Sequence, residues 1–159
     1  MPESHATANP RMGAVLAFDF GERRIGVAVG ESLLGHAHPL TVIDSAANAE
    51  RFAAIAALIE EWQPSQLVVG LPLSLDGEEH AMTLRCRRFG NQLRGRFALA
   101  VDYVDERLSS VEAAGRLRDN GVNARNARGR IDAVAAQIIL QSYFDAHPAP
   151  ASPLTPPTT

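Results

Sequence analysis

Three short apolar runs lie between residues 15 and 43, and the gaps between them are too small to hold a helix. Residues 15 to 20, 24 to 31 and about 37 to 43 read as strands, with turn signals at Gly21, Gly30 and Gly35. Parallel neighbours need a crossover of about a dozen residues or more, so these runs are spaced for an antiparallel meander. Beyond the third run, helices and strands alternate. Ala46 to Trp62 carries Phe52, Ile55, Ala56 and Ile59 at helical spacing, and Pro64 stops it. Leu67 to Leu71 is a short, wholly apolar strand of the buried type. Residues 79 to 95 form an arginine-rich amphipathic helix, and 97 to 105 a further strand. Ser109 and Glu112 make a capping box for a helix that stops at Asn120-Gly121. Ile131 to Phe144 is apolar almost all round and reads as a buried helix. The order β-β-β-α-β-α-β-α-α predicts an α/β fold, a mixed sheet with helices on its faces.

A chain of 159 residues suits one domain. Residues 1 to 12 lack an apolar period and 148 to 159 are proline-rich, so both are expected to be disordered tails around a domain at 13 to 147. No apolar run approaches the roughly 18 to 20 residues of a membrane span, and the N-terminus has no secretory pattern, which points to the cytoplasm and to no membrane partner. The lone Cys86 has no disulfide or CxxC partner and reads as structural. All 15 basic residues are arginine, which excludes P-loop and Schiff-base lysines. The net charge of −3 makes no global case for nucleic acid, but arginines cluster at 85 to 96 and again at 116 to 130.

Three acids sit at the ends of core elements. Strand alternation puts Val15, Ala17 and Asp19 on one face, opposite the greasier Leu16, Phe18 and Phe20. In the next strand Gly26, Ala28 and Gly30 form a row almost bare of side chains, a place where something can approach the backbone closely. Alone, Asp19 reads equally well as a turn cap. At the end of the last strand Asp105 and Glu106 point to opposite faces, and alternation does not choose between them. Asp132 falls in the first turn expected for the apolar helix, where an acid also favours the helix dipole by about 0.3 to 1 kcal/mol. Three carboxylates without lysine neighbours need a cation among them, and hard oxygen donors suit Mg²⁺ or Mn²⁺. Two such ions roughly 3.5 to 4 Å apart serve phosphodiester hydrolysis. His36 and His38 lack further zinc ligands. His80 reads as a surface residue and Tyr143 as core. Arg23, Arg24 and Arg107 adjoin the acids; Arg23 and Arg107 are favoured for substrate contact.

Four stretches in order, DFGERRIGVAVGE, VVGLPLSLDGEE, VDERLSSVEA and IDAVAAQIILQSYF, resemble the motifs of the YqgF/RuvX family over about residues 14 to 146. That family has a ribonuclease H-like fold akin to RuvC resolvases. It is described as Holliday junction resolvases and, on the better-supported view, as nucleases that mature the 5′ end of 16S ribosomal RNA. The resemblance implies a mixed five-stranded sheet with helices on both faces. It makes Asp19, Glu106 and Asp132 the catalytic and metal-holding acids, choosing Glu106 over Asp105. It also implies that Gly70, Pro72 and the Asp76-Gly77 turn shape a substrate-facing loop. Glu78 departs there from the small hydroxyl residue usual in the family. The expected function is a metal-dependent nuclease on pre-16S rRNA, with ribosomal particles as a further partner. The alternatives are a nuclease on branched DNA and a non-catalytic RNA-binding assembly factor. A third, an ATPase of the actin and hexokinase type, normally needs two lobes and far more chain.

Overall fold

The computed structural model describes residues 13–73, 79–105 and 124–148, with the side chains of 124–130 excepted. The sequence-predicted capping box at Ser109 and Glu112, its helix, the N-terminal tail and residues 149–159 of the C-terminal one lie outside the described residues. Strands β1 (Ala14–Phe20), β2 (Arg24–Glu31) and β3 (His36–Asp44) form the expected antiparallel meander. Helix α1 (Asn48–Trp62), strand β4 (Gln66–Leu71), helix α2 (Ala81–Phe97), strand β5 (Val101–Asp105) and helix α3 (Ala124–Ala146) come next along the chain. The sheet order is β3-β2-β1-β4-β5, with β4 parallel to both β1 and β5. Mixed pairing arises because only the first three strands are joined by turns, whereas β4 and β5 are each reached through a helix.

Alternation divides the sheet between two cores. Leu16, Phe18, Ile25, Val27, Leu67 and Val69 face α1 and α2, where they meet Phe52, Ile55, Phe89 and Leu93. Val15, Ala17, Ala28 and Val68 face α3, where they meet Ala136, Ile139, Leu140 and Phe144. Full burial of a Leu, Ile or Phe side chain stabilises a fold by roughly 1.5–3 kcal/mol, so the first face holds most of the apolar driving force. Cys86 and Tyr143 are buried, as expected of core residues.

The boundaries depart from the sequence reading in three places. Gly30 lies inside β2, and the hairpin turn is made at residues 32–35, where Gly35 takes φ +70°. Helix α2 runs on through Phe97, and β5 starts at Val101 instead of residue 97. Phe97 and Leu99 tuck against the first core, Arg94 and Arg96 favour the negative end of the helix dipole, and Ala98 caps the helix through its N–H to the Arg94 carbonyl at 3.0 Å. Helix α3 starts at Ala124, well before Ile131, because the arginine- and alanine-rich stretch ahead of the apolar run is itself helical. Asp132 therefore stands two turns inside α3, and the first-turn dipole reading falls.

Edge strand β3 is partly covered. The Gln141 side chain accepts from the Ala37 N–H at 3.1 Å and donates to the Gly35 carbonyl at 2.8 Å, while Gln137 donates to the Ala37 carbonyl at 3.1 Å. These bonds satisfy backbone groups that would otherwise offer pairing to another strand.

Candidate active site

Asp19 is half-buried near the end of β1, on the face turned to α3. Its cross-strand partner in β2 is Gly26. A Cβ at Gly26 would lie 1.9 Å from the carbonyl oxygen of Asp132, so the backbone of α3 rests directly on the strand there. The bare row is thus filled by α3: at Gly30 a Cβ would meet the Phe144 ring at 2.7 Å. Absence of side chains in β2 brings the helix backbone at Asp132 down onto Gly26, the register partner of Asp19.

The Asp132 carboxylate keeps a quarter of its side-chain surface exposed, 26%, and accepts from Arg24 Nε at 3.1 Å. Arg24 projects from β2 on the same face as Gly26, and its register partner in β3 is Asp44. Burial pushes the Asp132 carboxyl above the ordinary aspartate range. The hydrogen bond and charge of Arg24 pull it down, and the negative charge of Asp44 pushes it further up. Arg24, which adjoins the acids in the sequence, is thus paired with a carboxylate. Arg23, in the β1–β2 turn, is exposed.

On β5, Val104 packs into the α3 core and Tyr103 into the opposite one, so Asp105 is turned away from the Asp19 face. Glu106 and Arg107 lie outside the described residues. Gly70 is buried in β4 opposite Val104, two residues beyond Val68 and hence on Asp19's face. The Pro72 carbonyl accepts from the Thr83 hydroxyl, which also accepts from the His80 N–H at 3.1 Å, tying the end of β4 to the start of α2. Asp76, Gly77 and Glu78 lie outside the described residues. His80 is exposed and caps α2. His36 and His38 pair in register with Glu31 and Val29, on the α1 side of the sheet and away from the acids. Among the described residues no group of three or more His, Cys, Asp and Glu is placed to hold a metal ion.

Sequence reasoning missed two participants. Asp44 ends β3 as Asp19 nearly ends β1, and that shared position at strand ends was the available signal. Arg51 is buried in α1, with a nitrogen donating to the Gly21 carbonyl in the β1–β2 turn and Nε donating to the Ser45 carbonyl at 2.5 Å. Its spacing with Ile55 and Trp62 would have placed it on the buried stripe.

A five-stranded mixed sheet, three antiparallel strands followed by two parallel ones with helices on both faces, is the ribonuclease H-like arrangement. Its solved counterparts include Thermus thermophilus RuvC in complex with a Holliday junction substrate, similar with a TM-score of 0.53 and 15% identity over 84% of this chain and 94% of that one. The family described as "RuvX: Holliday junction resolvase" matches residues 13–146, and the chain belongs to it. A relative from Methylobacillus flagellatus is 61% identical over 91% of this chain and 97% of its own length. One from Dechloromonas aromatica is 55% identical over 89% and 99%. Both carry the name "Putative pre-16S rRNA nuclease".

Proposed function

We propose that the chain is a metal-dependent nuclease that hydrolyses phosphodiester bonds and matures the 5′ end of 16S rRNA from its precursor. The observation that carries this reading is the close approach of the α3 backbone at Asp132 to Gly26, the register partner of Asp19. The donor set fits a divalent cation: oxygen ligands only, in a half-buried place where burial alone disfavours the ionised Asp132. Asp19, Asp132 and Glu106 would hold Mg²⁺ or Mn²⁺. Asp105 shares the Tyr103 face, away from Asp19, and the family resemblance supports Glu106 in its place. When bound, such an ion lowers the pKa of its water and stabilises charge on the phosphoryl oxygens.

The chain's own residues position and bind. Arg24 fixes one Asp132 oxygen and leaves the other to the site. Arg23 and Arg107 contact phosphates of the substrate strand. Gly70, buried in β4, leads toward Pro72, Asp76 and Gly77, which would shape the loop along which the substrate lies. Names of the relatives, pre-16S rRNA nucleases, support RNA as the substrate, which the chain would meet on ribosomal particles in the cytoplasm. None of the described helices is long and apolar enough to cross a membrane.

Asp19→Asn preserves the fold by circular dichroism and lowers cleavage of a model precursor RNA in Mg²⁺ at least about 100-fold. Full activity in that variant, or in EDTA, overturns the assignment. Branched DNA is the second reading, favoured by the family description and the RuvC likeness. Competition between a four-way junction and precursor RNA separates the two.

A further inference from the structure

At the same end of the sheet as Asp19, but on the opposite face, a cleft of about 400 Å³ opens between α1, α2 and the β1–β2 turn. Phe20, Asn48, Arg51, Arg85, Arg88 and Gln92 line it. Its charge does not balance. Arg51 is 4% exposed, and its described hydrogen bonds go to two neutral carbonyls, of Ser45 and Gly21. Among the described residues no carboxylate pairs with it. A buried guanidinium without a counter-charge is costly unless an anion reaches it. The Arg88 side chain makes no ion pair or hydrogen bond among the described residues. Glu22 is the acid lining the cleft, and Arg85 engages it. Three guanidiniums therefore face one carboxylate.

The wall beneath them is aromatic. Arg51 lies over the Phe20 ring at 5.2 Å, and Phe20 meets Phe89 at 4.8 Å. Arginine forks match phosphate oxygens, and an aromatic or guanidinium plane accepts any base by stacking. Phe20 follows Asp19 directly in β1, so a strand leaving the acids over the sheet end enters the cleft within a few nucleotides.

We propose that this cleft binds one unpaired nucleotide of the RNA flanking the scissile bond, its phosphate on Arg85 and Arg88 and its base against Phe20 and Arg51. The inference rests on the nuclease reading for its substrate, but its test does not depend on cleavage. Fluorescence anisotropy in EDTA, with a labelled single-stranded oligouridylate, compares wild type with Arg85→Ala/Arg88→Ala and with Arg94→Ala, a control on the same helix outside the cleft. All three side chains are exposed, so these variants keep the fold. The double variant binds about 10-fold more weakly, and its slope of log affinity against log salt shrinks by about 1 to 2. Arg94→Ala matches wild type, and duplex RNA of equal length loses less than the single strand. An unchanged double variant overturns the inference, as does an equal loss in Arg94→Ala or on duplex. In precursor cleavage the double variant raises KM and spares kcat. Weakened binding in a chain that cuts no RNA would retain the cleft and discard the nuclease reading; active cleavage with an unchanged KM would do the reverse.

Discussion

On the α1–α2 side the sheet meets its helices through large side chains, Leu16, Phe18, Ile25 and Leu67 against Phe52, Ile55, Phe89 and Leu93. On the α3 side the strands offer smaller side chains, Val15, Ala17, Ala28 and Val68, and at Gly26 the sheet meets the helix backbone itself. Side-chain packing can adjust by rotamer when a residue changes. Backbone on backbone cannot, and that rigidity fixes the α3 backbone at Asp132 against Gly26, the register partner of Asp19. The thick face thus holds the fold together, while the thin face sets the position of Asp132, one of the acids proposed for the site.

The largest stability change is expected on the thick face. Leu93→Ala removes a fully buried side chain and costs about 2–5 kcal/mol by chemical denaturation, yet cleavage per folded molecule stays near wild type. Gly26→Ala places a methyl group against the Asp132 carbonyl, costs about 1–3 kcal/mol, and lowers cleavage out of proportion to that loss. If Leu93→Ala damages activity as much as Gly26→Ala does, the division between faces fails.

That division was half legible in the sequence. Alternation assigned Asp19 to the less greasy face, and the structure agrees, because a strand period of two leaves little choice. The Gly26, Ala28, Gly30 row signalled a close approach without saying of what, and the structure fills it with α3. Asp132 was misplaced within its helix, since an arginine-rich stretch ahead of an apolar run looks the same whether it is connector or helix. Arg51 went unremarked because an arginine on an amphipathic helix reads as solvated, and only packing reveals its burial. Glu106, Asp76 and Gly77 rest on the family resemblance, and nothing described in the fold bears on them directly.

Smaller effects test how firmly α3 is held. Gln141→Ala leaves the Ala37 N–H and the Gly35 carbonyl without their partner. Loss of such bonds costs about 1 kcal/mol. It also uncovers part of the β3 edge, so light scattering is expected to show stronger concentration-dependent association than in wild type. A monomeric variant of unchanged stability would mean that apolar packing alone seats the helix.

The smallest effect concerns Asp132 itself. Burial, helped by Asp44, raises its pKa above that of the unfolded chain despite Arg24, so the folded state holds this proton more tightly. Its contribution to stability is therefore fully present below the ordinary aspartate pKa of about 3.9 and is lost as pH rises through the higher folded value. Other carboxylates add slopes of their own, so the informative quantity is the difference between wild type and Asp132→Asn. Asparagine does not titrate, and the difference in unfolding free energy should move in its favour as pH climbs from about 4, then level off. Salt screens the Asp44 and Arg24 contributions but leaves the burial cost, so the difference persists at high ionic strength. A divalent cation seated on Asp19 and Asp132 would favour the ionised carboxylate and cancel the slope in wild type alone. A difference that ignores both pH and Mg²⁺ would place Asp132 outside any metal site and leave it as the partner of Arg24.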